Sequence, residues 1–275
     1  MAAYTAADVK ALREKTGAGM LNCKDALVEA EGDFDKAVEI LRVKGLKGVT
    51  KREDRTTSNG LVAAHVEGGL GVLVEINCET DFVAKGERFQ ELARQVLDQA
   101  VATGAADAES LLASDLGGRT VQAVLDEANA TIGEKIVVRR VARVEGTSVA
   151  SYLHRTSADL PPQIGVLVAL DAEAAEAGRD VAMHAAAMSP TYLAREDVPA
   201  DVVENERRVA EATSREEGKP EAALPRIVEG RVNGFFKENV LLEQAFAKDP
   251  KQTVAQVLKA AGATATAFAR FRVGV

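Results

Sequence analysis

The sequence predicts an α+β fold: a small N-terminal three-helix bundle, then a core of two related sheet-plus-helix subdomains with an inserted helical hairpin. Three observations carry that prediction. Over roughly the first 45 positions, apolar residues recur at spacings of three and four, the period of amphipathic helices. From Leu61 the pattern changes to runs of branched apolar residues divided by glycines, the mark of strands and tight turns. The order strand, turn, strand, helix then occurs twice, with Gly-Val-Leu-Val at 71–74 and again at 165–168, as expected of a repeated unit.

The elements follow in order. Thr5 opens a Thr-x-x-Asp capping pattern closed by Asp8, Val9 and Leu12 share one face, and Gly17 ends the first helix. Cys23, Ala26, Leu27 and Ala30 mark a second helix, and Asp33 caps a third that carries Phe34, Ala37, Val38 and Leu41. Residues 45–60, GLKGVTKREDRTTSNG, read as a tether rich in glycine and charge. Between Arg42 and Arg55 lie six basic residues (Arg42, Lys44, Lys47, Lys51, Arg52, Arg55) against Glu53 and Asp54. That surplus fits a solvated linker or an electrostatic contact with an acidic partner.

LVAAHVE, the Gly68-Gly69 turn and GVLVEINC predict an antiparallel hairpin. Phe89, Leu92, Ala93, Val96, Leu97 and Ala100 form the apolar stripe of a long helix, and a second helix runs from about Thr120 through Ala128. A strand at 135–145 closes the first subdomain. The second has SVASYLH, a polar turn through Pro161-Pro162, IGVLVALD and the helix DVAMHAAAM. A polar helical pair at 198–246 breaks at Gly218-Lys219-Pro220, and a short helix then leads to the strand TATAFARFRVGV. The boundaries so placed are 1–55 for the bundle and basic linker, 56–146 for the first core subdomain and 147–275 for the second.

Composition excludes several functions. With 34 Lys+Arg against 42 Asp+Glu, the net charge of −8 disfavours binding to a nucleic-acid backbone, which needs a basic face. No apolar run approaches the roughly 20 residues of a membrane span, and the N-terminus lacks a basic segment followed by an apolar one. Cys23 and Cys78 are not spaced as a zinc module or a disulfide framework, so a cytoplasmic protein without metal is expected. His65, His154 and His184 have no close ligand spacing, and His65 and His184 read as hydrogen-bonded residues of a strand and a helix. Gly68-Gly69-Leu70-Gly71 lies between two strands and cannot cradle a phosphate at a helix N-terminus. No catalytic residues, cofactor or enzyme activity are expected.

One segment stands out: Asn77-Cys78-Glu79-Thr80-Asp81-Phe82-Val83-Ala84-Lys85, joining a buried strand to a helix. A structural reading makes Asp81 or Thr80 the helix cap and Phe82 a staple onto the sheet. The equivalent connection of the second subdomain, Asp171-Ala172-Glu173-Ala174-Ala175, has no aromatic residue and no Asp-Phe pair. A requirement beyond the fold is therefore expected at Thr80, Asp81, Phe82 and Val83.

LREKTGAGMLNCKDAL at 12–27, NCETDFVAK at 77–85 and TIGEK at 131–135 together resemble the signature segments of the bacterial translation elongation factor Ts family. SYLH at 151–154, IGVLVA at 164–169, AMHAAA at 182–187, VEGR at 228–231 and FARFRVG at 268–274 extend the likeness over nearly the whole chain. The resemblance implies a guanine nucleotide exchange factor that binds elongation factor Tu in its GDP-bound or nucleotide-free state, with an N-terminal bundle similar to ubiquitin-associated domains. It also implies roles. Asp81 and Phe82 match the pair that intrudes near the GTPase's magnesium and phosphates. Ile132 and Gly133 match a second contact, and His154 matches one in the second subdomain. Val9, Leu12, Met20 and Leu21 lie where the family's bundle meets the nucleotide-binding domain, although Leu21 is often methionine there. Some members continue past the FRVG strand into a further helical module, whereas this chain stops at Val275, so contacts from that module are not expected. One-to-one and two-to-two complexes are both compatible with the resemblance, and the alternative function is a ubiquitin-like adaptor that binds without exchange activity.

Overall fold

The computed structural model describes residues 4–50, 52 and 54–275, with the side chains of 46–50 outside the description. Three helices come first: α1 (Ala6–Thr16), α2 (Met20–Glu29) and α3 (Phe34–Thr50). The Thr5–Asp8 capping box is formed, and the Asp33 carboxylate accepts from the Lys36 amide at 3.0 Å. Leu12, Cys23, Leu27 and Ala37 are fully buried and make one small core with Val9, Ala26 and Ala30.

The tether reading of residues 45–60 needs correction. Its first part continues α3, and Gly45 serves close packing rather than freedom: a Cβ there would lie 2.6 Å from the Ala130 Cβ of the helix α3 crosses. Lys44 pairs with Glu29, Arg52 donates to the Asn129 carbonyl at 3.2 Å, and Arg55 pairs with Glu79 at 3.2 Å. Lys44 stands just before the segment, and Arg52 and Arg55 tie the segment itself back onto the protein. Lys51, Glu53 and the Lys47 side chain lie outside the described residues.

Next come β1 (Asn59–Glu67), β2 (Leu70–Cys78), the one-turn α4 (Asp81–Lys85), α5 (Glu87–Thr103), α6 (Ala108–Ala113), α7 (Val121–Ile132) and β3 (Val137–Glu145). The strands form an antiparallel sheet in the order β1-β2-β3, with Leu61 opposite Ile76 and Val74 opposite Val141. The second sheet, β4 (Ser148–His154), β5 (Ile164–Leu170) and β8 (Ala265–Arg272), has the order β4-β5-β8 and is also antiparallel. Between β5 and β8 run α8 (Ala175–Met188), α9 (Ala200–Glu216), α10 (Leu224–Asn239), a two-stranded ribbon of β6 (Ala245–Phe246) and β7 (Asp249–Thr253), and α11 (Val254–Ala260). α9 and α10 pair as the predicted hairpin through Ala210, Val228, Val232 and Phe236. Among the described residues no helix is long and apolar enough to cross a membrane.

The core has four layers, helix on sheet on sheet on helix. Val72, Val74 and Ile76 face α5 through Phe89, Leu92 and Val96, while Val166, Val168 and Leu170 face α8 and α11. Between the sheets lie Val62, Leu73 and Val144 from the first and Leu167, Ala169, Ala269 and Phe271 from the second. The middle strands β2 and β5 are thus covered on both faces, so β5 reads as a continuous apolar run and β2 as a run of consecutive apolar residues, Val72 to Val74, followed by the buried polar Glu75 and Asn77. The recurring Gly-Val-Leu-Val meets itself across this layer. A Cβ on Gly71 would stand 3.2 Å from Leu167, and one on Gly165 would stand 2.8 Å from Leu73 and 2.5 Å from Val62.

His184 of α8 is satisfied as expected: its Nδ1 accepts from the Ala247 amide at 3.1 Å, so Nε2 carries the proton and donates to Gln244 Oε1 at 2.9 Å. Burial holds its pKa below the ordinary 6.5, against the opposing hydrogen bond to Gln244. The unfolded chain therefore takes up a proton here before the folded chain does, and stability is lost as pH falls from 6.5 toward the depressed folded value. The urea midpoint of the wild type is expected to fall more steeply between about pH 7 and pH 5 than that of His184→Gln. Parallel profiles would refute the assignment. For His65 the expectation of a hydrogen-bonded ring fails at one atom: Nε2 is buried without a hydrogen-bond partner among the described residues, Glu67 Oε2 being 3.5 Å away.

Candidate functional site

The segment from Cys78 to Lys85 lies where strand pairing ends. β2 and β3 run antiparallel as far as Asn77 opposite Val137, so the chain leaving β2 meets the chain entering β3. Side chains continue the ladder from there. The Glu79 carboxylate accepts the Lys135 amide at 2.6 Å, and the Glu134 carboxylate accepts the Thr80 amide at 3.0 Å and the Thr80 hydroxyl at 2.6 Å. Arg55 adds a charged contact on Glu79, and Asn59 Nδ2 donates to the Glu79 carbonyl at 2.8 Å. Each segment thus grips the other through a carboxylate and a backbone N–H, with charge-assisted bonds that are stronger than neutral ones.

Thr80 is also the N-cap of α4, extended at φ −122° and ψ 157°, its hydroxyl accepting from the Val83 amide. Below it the Cys78 thiol donates to the Thr80 carbonyl at 3.2 Å. Burial, then the negative charge of Glu134, pushes that thiol up to about 12, so it stays protonated and serves packing. Ala84 is fully buried and Val83 half-buried against the core, whereas Phe82 is 82% exposed. Of the two structural roles foreseen here, Thr80 takes the cap, and Phe82 does not staple the helix to the sheet because it points away from it. An aromatic ring left in water forgoes about 1.5–3 kcal/mol available on burial. The surroundings of Phe82 fix its base and leave its ring free for another molecule.

Asp81 is held by Lys85 one turn on, Nζ to Oδ2 2.8 Å, and that hydrogen bond keeps the Asp81 carboxyl below the usual carboxylate range. Ile132 closes α7, partly buried against the core, and Gly133 caps it at φ 86° beside the Glu134 lock. His154 ends β4, half-buried, with Nδ1 3.2 Å from the Tyr152 hydroxyl. In the bundle, Met20 and Leu21 are exposed on α2, while Val9 and Leu12 lie in the bundle core, Leu12 without any exposure. Their packing places α2. A Cβ on Gly17, at the α1–α2 turn, would lie 3.1 Å from Thr131, and Asn22, Lys44, Ile132 and Gly133 line the cleft alongside. The structure therefore gathers Thr80, Asp81, Phe82, Val83, Ile132 and Gly133 at one corner, with the bundle's turn next to it. Among the described residues, no group of three or more His, Cys, Asp or Glu could hold a metal ion.

Glu79, Lys85, Glu134 and Asp159 were not foreseen as parts of this corner. Three of them stand inside the quoted motifs, but the contacts that join the corner, Glu79 to Lys135, Glu134 to Thr80 and Lys85 to Asp159, each span more than 50 positions, and Asp159 itself stands in a loop of the other sheet.

A family model described as elongation factor TS matches residues 79–275, which include both halves of the lock. The chain belongs to the elongation factor Ts family. It is 74% identical over 274 residues to elongation factor Ts of Kineococcus radiotolerans, with both chains covered in full. It is 63% identical to elongation factor Ts of Paenarthrobacter aurescens, again over all of both chains, and 64% identical to that of Acidothermus cellulolyticus, over all of this chain and 99% of the relative. The family is one of translation elongation factors that act as exchange factors, and the chain is not an enzyme with a chemical step of its own.

Proposed function

We propose that the chain binds elongation factor Tu carrying GDP and promotes release of the nucleotide by inserting Asp81 and Phe82 beside the GTPase's Mg²⁺ and phosphates, so that GTP rebinds. The observation that carries this reading is the exposure of Phe82 on a helix turn whose base is locked at Thr80. Thr80 and Val83 hold the turn. Ile132, Gly133 and His154 supply further contacts, and Met20 and Leu21 present the bundle, with Val9 and Leu12 supporting them from inside. The division at 1–55, 56–146 and 147–275 belongs to the same reading. The reciprocal approach of Gly71 to Leu167 and of Gly165 to Leu73 supports treating the two sheets as related subdomains. The bundle is taken as similar to ubiquitin-associated domains, and the place of action is the cytoplasm.

Magnitudes show why several contacts are needed. A nucleotide held at nanomolar affinity is bound by about 12 kcal/mol. Accelerating its release about ten-thousandfold means stabilising the transition state for release by roughly 5.5 kcal/mol. One buried phenylalanine contributes about 1.5–3 kcal/mol, so contacts from the bundle and the second sheet must offset the remaining distortion. Coupling between factor and nucleotide is reciprocal: each weakens the other's binding by the same ratio, so the factor speeds exchange without choosing GTP.

The test mixes the chain with purified elongation factor Tu and fluorescent GDP in a stopped-flow instrument. Faster release with rising factor supports the reading. Binding without acceleration would make the chain an adaptor and overturn it.

A further inference from the structure

Lys85 touches two carboxylates, and only one belongs to its own helix. Its ammonium lies 2.8 Å from Asp81 Oδ2 and 2.8 Å from Asp159 Oδ2, and Asp159 stands in the loop between β4 and β5 of the other sheet. That loop is well held. The Gln163 amide donates to the His154 carbonyl at 2.9 Å, the Val62 amide of β1 donates to the Pro162 carbonyl at 2.8 Å, and the Ser157 hydroxyl donates to Asp159 Oδ1 at 2.5 Å. The Lys85 and Ser157 hydrogen bonds bring the Asp159 carboxyl down to about 2, and Asp159 ahead of Asp81 raises the pKa of Lys85. The loop begins next to His154, so a single ammonium links the helix turn that carries Phe82 to the strand end that carries His154.

We propose that Lys85 and Asp159 are positioning residues that strap α4 to the second sheet, so that Phe82 and His154 meet a partner as one preset surface. This rests on the exchange function proposed above. Neither residue needs to touch the partner. A strap that lowers the cost of arranging two contacts acts on the step in which both are used. Because the pair is exposed, its effect is small and screened by salt.

The test uses the full chain with elongation factor Tu and fluorescent GDP, at saturating factor and low salt. Lys85→Met and Asp159→Asn are each expected to lower the maximal rate about threefold, and the half-saturating concentration to change by less than about twofold. The double variant should match Lys85→Met alone, since Lys85→Met already removes the link to Asp159, and Asp159→Glu should recover most of the rate. In the free chain, the Lys85 pKa followed by NMR should fall in Asp159→Asn. An unchanged Lys85 titration, a wild-type rate for Asp159→Asn, or a double-variant loss equal to the product of the singles would overturn the strap. Phe82→Ala run alongside separates the two readings. If it too releases at the wild-type rate the exchange mechanism fails, and if it alone is slowed only the strap fails.

Discussion

Replacing Phe82 by alanine is expected to lower the maximal rate of stimulated GDP release about tenfold to a hundredfold and to leave the protein folded. The rate estimate converts the roughly 1.5–3 kcal/mol available on burying a phenylalanine side chain, at about 1.4 kcal/mol for each factor of ten. The fold is spared because the ring, 82% exposed, contributes little to the core beneath it. Thr80, Ala84 and the Glu134 lock hold α4 without it. The loss should therefore appear in the rate while the urea midpoint stays within experimental scatter. Phe82→Leu should retain part of the rate, since the effect follows buried apolar area. A wild-type rate for Phe82→Ala would show that the ring does not enter the partner. A lowered midpoint would show that it packs on its own chain.

How much of this was legible beforehand differs from element to element for physical reasons. The middle strands could be read because each is covered on both faces, which leaves apolar side chains on consecutive positions, Val72 to Val74 in β2 and Val166 to Leu170 in β5. α5 could be read because one face alone is buried, and all six residues of its predicted stripe are. The end of α3 could not. Gly45 and Gly48 in a charged stretch have the composition of a tether, and only the crossing over Ala130 explains why glycine sits at 45 inside a helix. β6 and β7 are too short for a period to register, and β7 contains Pro250.

At the site, the Asp-Phe pair was conspicuous because an aromatic residue at a connection has to be explained locally. Its supports were not conspicuous. Glu134 reaches Thr80 across 54 positions and Lys85 reaches Asp159 across a sheet boundary, and such contacts exist only once the strands have paired. Val9 and Leu12 carry two readings. Their place in a motif marks them as contacts and their helical spacing marks them as core; the free chain shows the core role, with both side chains buried.

The largest stability effect is expected at Arg140. Glu75 of β2 is fully buried between the sheets, on the face that carries Leu73, and its Oε2 is held by Arg140 through Nε at 2.7 Å and Nη2 at 2.5 Å. Its other oxygen has no hydrogen-bond partner among the described residues. Arg140 in turn donates to the Arg272 carbonyl of β8 at 3.1 Å and lies over the Phe271 ring, so it spans from β3 to the second sheet. Arg140→Met keeps the apolar stem and removes the charge, leaving a carboxylate buried without compensation, at a cost of about 3–5 kcal/mol. Urea unfolding at neutral pH should report that loss. Glu75→Leu combined with Arg140→Met should recover most of it, because two apolar side chains of similar volume replace the pair without a desolvation penalty. Recovery would locate the cost in the stranded carboxylate. Failure of the double variant to recover would locate it in the contacts of Arg140 with the Arg272 carbonyl and the Phe271 ring, and hence in the joint between the two sheets.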